Sequence, residues 1–112
     1  MSKSSTTTEG GKRRRPANRL PAIPPGEVLA EELATLGLSA RAFGEALNVP
    51  HNRVSAILKG TRAITADTAL RLARYFGNSP RFWMDLQQTY DLKIAEAAKG
   101  EEIRTRVRER AA

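Results

Sequence analysis

Two short predicted helices, separated by a turn of two or three residues, constrain the fold of this chain more than any other feature. They are predicted over residues 40–47 and 50–59. Ser39 suits the start of the first, since its side-chain oxygen accepts a hydrogen bond from a free backbone N–H. Asn48 suits its end, because asparagine tolerates the left-handed conformation. Pro50 and Gly60 then bound the second helix.

Gly44 lies inside the first of these helices, where glycine costs ~1 kcal/mol relative to alanine. A residue without a side chain at such a position indicates that another helix comes close. Two short helices that cross steeply at a tight turn form a helix-turn-helix, whose second helix enters the DNA major groove. The sequence therefore predicts a helix-turn-helix unit over about residues 39–59.

Helical patterns continue on both sides of this unit, and no alternating strand pattern of useful length is present. Apolar spacing and capping residues predict further helices over about 26–36, 66–76 and 80–98, with Gly100 ending the last. The prediction is an all-α, five-helix, lambda-repressor-like domain over residues 23–98. It is preceded by a disordered basic arm, residues 1–22, and followed by a charged C-terminal tail, residues 99–112.

The positive charge is concentrated in the ends of the chain. The net charge is +7, of which residues 1–19 contribute +5, residues 20–98 contribute 0 and residues 99–112 contribute +2. Basic ends on a neutral middle favour a polyanionic partner. A solubilising role for the ends explains the charge equally well.

Several classes of function are disfavoured by what the chain contains. It has no cysteine, so disulfides and thiolate chemistry are excluded. His51 is the single histidine and has no evident nucleophile or carboxylate partner, and the aspartates are scattered. We therefore expect no catalytic site, no metal site and no cofactor. No apolar run approaches the ~18 residues of a membrane span. The basic N-terminal residues are not followed by an apolar segment, so they do not form a secretory signal peptide. A cytoplasmic protein is therefore expected.

The outward face of the predicted recognition helix has the chemistry of base reading. A helical wheel with Val54 at the core turns polar or small side chains outward. Asparagine pairs with adenine, arginine with guanine, and an alanine methyl group meets a thymine methyl group. Residues before and after this helix are expected near phosphates. The predicted DNA-binding residues are Ser39, Arg41, His51, Asn52, Arg53, Ser55, Ala56, Lys59, Thr61 and Arg62.

Three stretches resemble the HigA/VapI-type antitoxins of the Xre helix-turn-helix group. They are "PPGEVLAEEL", the segment from "LNVPHNRVSAILKG" through "ITADTALRLARYFGNSPRFWMDLQ" to "TYDL", and "EEIRTRVR". The resemblance covers about residues 19–110. It implies a dimeric bacterial protein that binds double-stranded DNA, represses its own operon and neutralises a HigB-type toxin, a small ribonuclease that cleaves mRNA.

Two further surfaces are predicted for these partners. Apolar residues of the last helix exceed what one small domain requires, which predicts a homodimer interface at Trp83, Leu86, Tyr90 and Ile94. A dimer would read an inverted-repeat operator. An acidic cluster, Glu27, Glu31 and Glu32, is the candidate surface for a basic toxin, although a solvated helix face explains it as well.

Two alternatives stay open from the residues alone. One is an Xre-type transcriptional repressor with the same domain and no toxin partner. The other is a protein-interaction or RNA-binding module that uses the basic ends, which would bind nucleic acid weakly and without sequence preference.

Overall fold

The fold was analysed in a computed structural model that describes residues 21–111. Within this range the chain forms five α-helices and no strand, as predicted. They are α1 (Pro25–Leu36), α2 (Ala40–Leu47), α3 (His51–Lys59), α4 (Ala66–Phe76) and α5 (Pro80–Arg106). The predicted disordered arm, residues 1–22, lies almost entirely outside the described residues.

Side chains at the predicted cap positions begin the second, fourth and fifth helices. Ser39 Oγ accepts from the Ala42 backbone N–H at 3.1 Å, and Thr65 and Ser79 cap α4 and α5 in the same manner. Asn48 ends α2 with φ of 60°, the left-handed conformation predicted for it. Because these signals are local, they set the helix ends without help from tertiary contacts.

The core lies between α1, α2, α3, α4 and the first half of α5. Phe43 at its centre is fully buried, and its ring meets Tyr75 edge-on with centroids 5.2 Å apart. Leu29, Leu72 and Trp83 are each at most 1% exposed. These side chains hold α1, α2, α4 and the start of α5 around a common core.

Two glycines allow helices to touch through their backbones. A Cβ atom on Gly44 would lie 3.0 Å from both the His51 Cα and the Val49 carbonyl oxygen, so the predicted close approach of α2 and α3 is confirmed. A Cβ atom on Gly26 would overlap the carbonyl oxygen of Ile57. The first turn of α1 therefore packs against α3, a contact that was not predicted from the sequence.

Two predictions about the last helix are wrong. Gly100 does not end α5, which continues to Arg106. The Glu96 side chain folds over Gly100, and Arg104 donates to Glu96 at 2.9 Å and to Glu101 at 2.8 Å. Glu101 and Arg104 are an i,i+3 pair, which adds support to a helix, and the bond from Arg104 to Glu96 joins residues on either side of Gly100. These contacts help to offset the cost of one glycine. Most of the predicted tail, residues 99–112, is thus part of the helix.

Trp83 is the second correction, because it belongs to the core of the domain and not to an exposed dimer surface. Its side chain is 1% exposed, its indole N–H donates to Asn78 Oδ1 at 2.9 Å, and its ring packs on Phe76. A side chain buried in one protomer offers no surface to a second.

The contacts of Gly44 and Gly100 predict opposite effects of the same substitution. In Gly44→Ala the added methyl group meets backbone of α3 that has no room to move, so the free energy of unfolding should fall by ~1–3 kcal/mol. In Gly100→Ala the methyl group meets only the flexible end of the Glu96 side chain. The free energy of unfolding should therefore rise, by at most the ~1 kcal/mol that alanine gains over glycine in helix propensity. Urea unfolding at one protein concentration measures both. Equal effects of the two substitutions would contradict the close packing of α2 on α3.

Candidate nucleic-acid interface

The α2–α3 pair is closed by a three-residue turn, Asn48-Val49-Pro50. Asn48 N–H donates to the Glu45 carbonyl at 3.1 Å, and Val49 N–H donates to the Gly44 carbonyl at 2.9 Å. At the other side of the turn, Arg53 N–H donates to the Pro50 carbonyl at 3.0 Å. Backbone hydrogen bonds therefore fix the direction in which α3 leaves α2.

One face of α3 is buried and the opposite face is open. Val54 and Ile57 are 1% and 3% exposed and hold the helix to the core. His51, Asn52 and Lys59 are exposed, while Ser55 and Ala56 are partly exposed between them. The structure thus brings these predicted DNA-binding residues together on one surface, as the helical wheel predicted.

The remaining predicted contacts lie at the two ends of this surface. Ser39 and Arg41 are exposed at the start of α2, and Thr61 and Arg62 are exposed directly after α3. The Thr61 hydroxyl group donates to the Ala56 carbonyl at 3.2 Å, which ties the chain after Gly60 back to α3. Their arrangement, flanking α3 on both sides, is suited to contacts with the backbone of a duplex.

Arg53 differs from the other predicted readers because its guanidinium group is already engaged. Its Nη1 donates to Asp67 Oδ2 on α4 at 2.9 Å, and its side chain is 25% exposed. Asp67 was not predicted as part of the site, since it lies 14 residues from Arg53 and the sequence shows it only as one of several scattered aspartates. The tertiary contact between α3 and the start of α4 is visible only in the structure.

Arg71 connects the same carboxylate to the turn. Its Nε donates to Asp67 Oδ2 at 2.9 Å, and its Nη1 donates to the carbonyl groups of Leu47 at 2.9 Å and Asn48 at 3.3 Å. Carbonyl groups at the end of a helix have no partner within the helix, so Arg71 supplies one for α2. The turn, α3 and α4 are therefore joined by one set of charged hydrogen bonds.

These contacts also determine the ionisation of Asp67. Hydrogen bonds from Arg71 and then from Arg53 hold the pKa of this carboxyl group below its ordinary value of 3.8. Because the pKa is lower in the folded chain, ionised Asp67 favours folding at neutral pH. This contribution is lost as the pH falls through the folded-state pKa.

The other predicted surfaces lie on α1 and α5. Leu86 and Tyr90 are partly buried and Ile94 is 47% exposed. The first two line an apolar groove between α1 and α5, together with Ile23, Val28 and Phe82. The three acidic residues of α1, Glu27, Glu31 and Glu32, are all exposed.

The described residues offer little for other chemistry. Within residues 21–111, no group of three or more histidine, aspartate or glutamate side chains is arranged to hold a metal ion. No helix in this part of the chain is long and apolar enough to cross a membrane.

Comparisons with known proteins agree with this geometry. The family model HTH_3, described as helix-turn-helix, matches residues 29–83. Virulence-associated protein I of Dichelobacter nodosus is 53% identical over 83 residues, which are 73% of this chain and 77% of that protein.

Two solved structures share the whole described fold. A HigA-family addiction module antidote protein from Coxiella burnetii is 50% identical with a TM-score of 0.79, over 81% of this chain and 100% of that one. The antitoxin HigA of Pseudomonas aeruginosa, solved with the higBA promoter, is 40% identical with a TM-score of 0.78, again over 81% and 100% of the two chains.

The hydrogen bonds of Arg71 predict that it stabilises the turn. In Arg71→Ala the Leu47 and Asn48 carbonyl groups lose a charged donor, which should lower the free energy of unfolding by ~1–3 kcal/mol. Arg74→Ala is the matched control, because Arg74 is exposed on the same helix and should change this free energy by less than ~0.5 kcal/mol. Urea unfolding that gave equal losses for both would contradict the role assigned to Arg71.

Proposed function

The chain belongs to the helix-turn-helix family that includes Virulence-associated protein I and the HigA antitoxins, and we propose that it binds the promoter of its own operon and represses it as the antitoxin of a toxin–antitoxin pair. Membership of this family confirms the prediction that the chain is not an enzyme. The observation that carries the proposal is the open polar face of α3, on a fold shared with a HigA that was solved with its promoter.

Specific recognition is assigned to the first turns of α3. Asn52 is exposed there and offers the amide pair that adenine binds, while the methyl group of Ala56 is suited to thymine. Ser55 donates or accepts as the base requires. Lys59 and His51 lie at the two ends of α3, where phosphate contacts are expected. Arg53 completes the set of base readers.

Phosphate contacts on the two sides of the groove are assigned to residues that flank α3. Ser39 uses its oxygen to cap α2, which leaves its hydroxyl hydrogen free to donate to a phosphate. Arg41 lies two residues after Ser39, in the first turn of α2, and Arg62 approaches the other strand. Thr61 donates both its hydroxyl group and its backbone N–H to the Ala56 carbonyl, so its part in this contact is to hold Arg62 beside the end of α3. Such contacts fix the register of the protein and carry no direct sequence information.

Two copies of the chain are required for a specific site of ordinary length. A single α3 spans only a few base pairs, and a two-fold dimer places two such helices about one DNA turn apart on an inverted repeat. The surface assigned to the second copy is the groove between α1 and α5, with Leu86, Tyr90 and the exposed Ile94. Phe82, 45% exposed at one edge of this groove, extends the apolar area.

The toxin is assigned to α1. Its three glutamates, Glu27, Glu31 and Glu32, are all exposed and present negative charge to solvent. A HigB-type toxin is a basic ribonuclease by the resemblance stated above, so the charges are complementary. The alternative function, a repressor without a toxin, uses the same α3 surface and leaves this cluster solvated.

We expect substitutions on α3 to act on specificity and substitutions on its flanks to act on affinity. Asn52→Ala and Arg53→Ala should each cost ~1–3 kcal/mol on the operator and relax the preference at one base pair. Arg41→Ala should weaken binding to every duplex by a similar factor, since it removes a phosphate contact. Shift assays on the chain's own promoter and on a scrambled duplex measure this. Unchanged operator affinity in both α3 variants would show that a different face meets the DNA.

The dimer is tested by a charge placed on the exposed edge of its assigned interface. Light scattering should give twice 12.3 kDa for the unaltered chain and about half of that value for Ile94→Lys at the same micromolar concentration. Leu70→Lys is the control, because Leu70 is 60% exposed on α4, outside the groove, and should stay dimeric. A monomeric unaltered chain would contradict the interface.

Charge reversal tests the toxin surface. Glu27→Lys, Glu31→Lys and Glu32→Lys together should abolish co-purification with the product of the neighbouring short, basic reading frame, whereas the same change at Glu102 and Glu109 should not. Retention of the partner by the first variant would exclude α1 as the toxin surface. Absence of any growth-inhibiting neighbour would favour the repressor without a toxin.

A further inference from the structure

The carboxylate of Asp67 receives hydrogen bonds from two arginines that belong to different parts of the DNA-reading unit. Arg53 lies on α3, and Arg71 also binds the carbonyl groups at the end of α2. Both arginines reach the same oxygen, Oδ2, at 2.9 Å. The side chain of Asp67 is itself 56% exposed, so burial does not explain why a carboxylate is placed there.

An arginine on a recognition helix has many conformations to lose when it binds a base. A guanidinium group has five N–H donors in a fixed plane, and guanine takes two of them. Asp67 occupies Nη1 of Arg53, and within residues 21–111 the other donors of that group make no hydrogen bond. A carboxylate that holds one edge of the plane restricts the rotation of the side chain before the DNA arrives, which lowers the entropic cost of the contact.

We propose that Asp67 is a positioning residue for base recognition, which orients the guanidinium group of Arg53 for a guanine and takes its own position from Arg71 at the α2–α3 turn. The inference rests on the proposed function, since it concerns how the operator is discriminated. It assigns a role in specificity to a residue of α4 that lies outside the helix-turn-helix unit. The lowered pKa of Asp67 is consistent with this role, because the carboxylate stays ionised at neutral pH.

The negative charge on Asp67 predicts opposite effects of its removal on overall DNA affinity and on sequence preference. A negative charge beside a DNA-binding face repels phosphates, so its removal should strengthen binding to any duplex. Its removal should also release Arg53 and weaken the contact with the correct base. Asp67→Asn is therefore expected to bind a scrambled duplex as tightly as the unaltered chain or tighter, and to lose about tenfold in preference for the operator, as for one mismatched base pair.

The experiment uses the full chain and two duplexes of about 30 base pairs, one from the promoter of its own operon and one with the same composition in scrambled order. Fluorescence anisotropy gives the affinity of the unaltered chain, Asp67→Asn, Arg53→Ala and the double variant for each duplex at two salt concentrations. Glu109→Gln makes the same change of charge beyond the end of α5 and should leave the preference unchanged. Thermal unfolding of each variant checks that it is folded under the assay conditions.

In the Arg53→Ala background, Asp67→Asn should no longer lower the preference, because there is no guanidinium group to orient. A preference that is unchanged by Asp67→Asn alone, or that falls equally in both backgrounds, would overturn the inference. A tighter and more selective variant would overturn it too, since it would show that Asp67 withholds Arg53 from the DNA. If the unaltered chain bound both duplexes equally, the proposed function itself would fail, and this inference with it.

Discussion

Gly44 has no side chain, and for that reason the first residue of α3 packs directly against the backbone of α2. A methyl group at this position would press on His51 and on the Val49 carbonyl, which belong to the turn itself. The angle between the two helices, and with it the direction of the polar end of α3, depends on this contact. Phe43 and Val54, buried on the two sides of it, keep both helices on the common core.

The charged hydrogen bonds at the turn add precision to this backbone contact. Arg71 provides the donor that the carbonyl groups of Leu47 and Asn48 lack, and Asp67 joins Arg71 to Arg53. Surface ion pairs contribute little to stability individually, about 0–1 kcal/mol. Their effect here lies in orientation, because they connect α2, α3 and α4 beside the open polar face of α3.

The local features of this fold were predictable from the sequence, and the long-range ones were not. Ser39, Asn48 and Gly60 determine helix ends through their own backbone and side-chain chemistry, so their roles were predicted correctly. Trp83 was assigned to a dimer surface because an apolar stripe does not show which neighbour covers it; in the structure Phe76 does. Glycine disfavours a helix, and for that reason the sequence predicts that α5 ends at Gly100. The ion pair between Glu96 and Arg104, which helps α5 to continue, depends on side-chain conformations that a sequence pattern does not show.

In the candidate interface, too, local features were predictable and long-range contacts were not. The outward residues of α3 follow from its period of 3.6 residues, and the structure places them together. The link from Arg53 to Asp67 spans 14 residues and two helices, and no periodic pattern encodes it. The identity of the residues was therefore enough to predict which face of α3 is exposed, whereas the contacts that orient its side chains required the fold.

The most direct test of the account is to observe which amides of the folded chain change on binding to its own promoter. In a titration of the isotope-labelled protein followed by nuclear magnetic resonance, we expect the largest shifts at residues 51–59 and at the start of α2. Smaller changes are expected along the outer face of α1. Shifts concentrated on α1 or α5, with residues 51–59 unaffected, would contradict the assignment of α3 as the recognition helix.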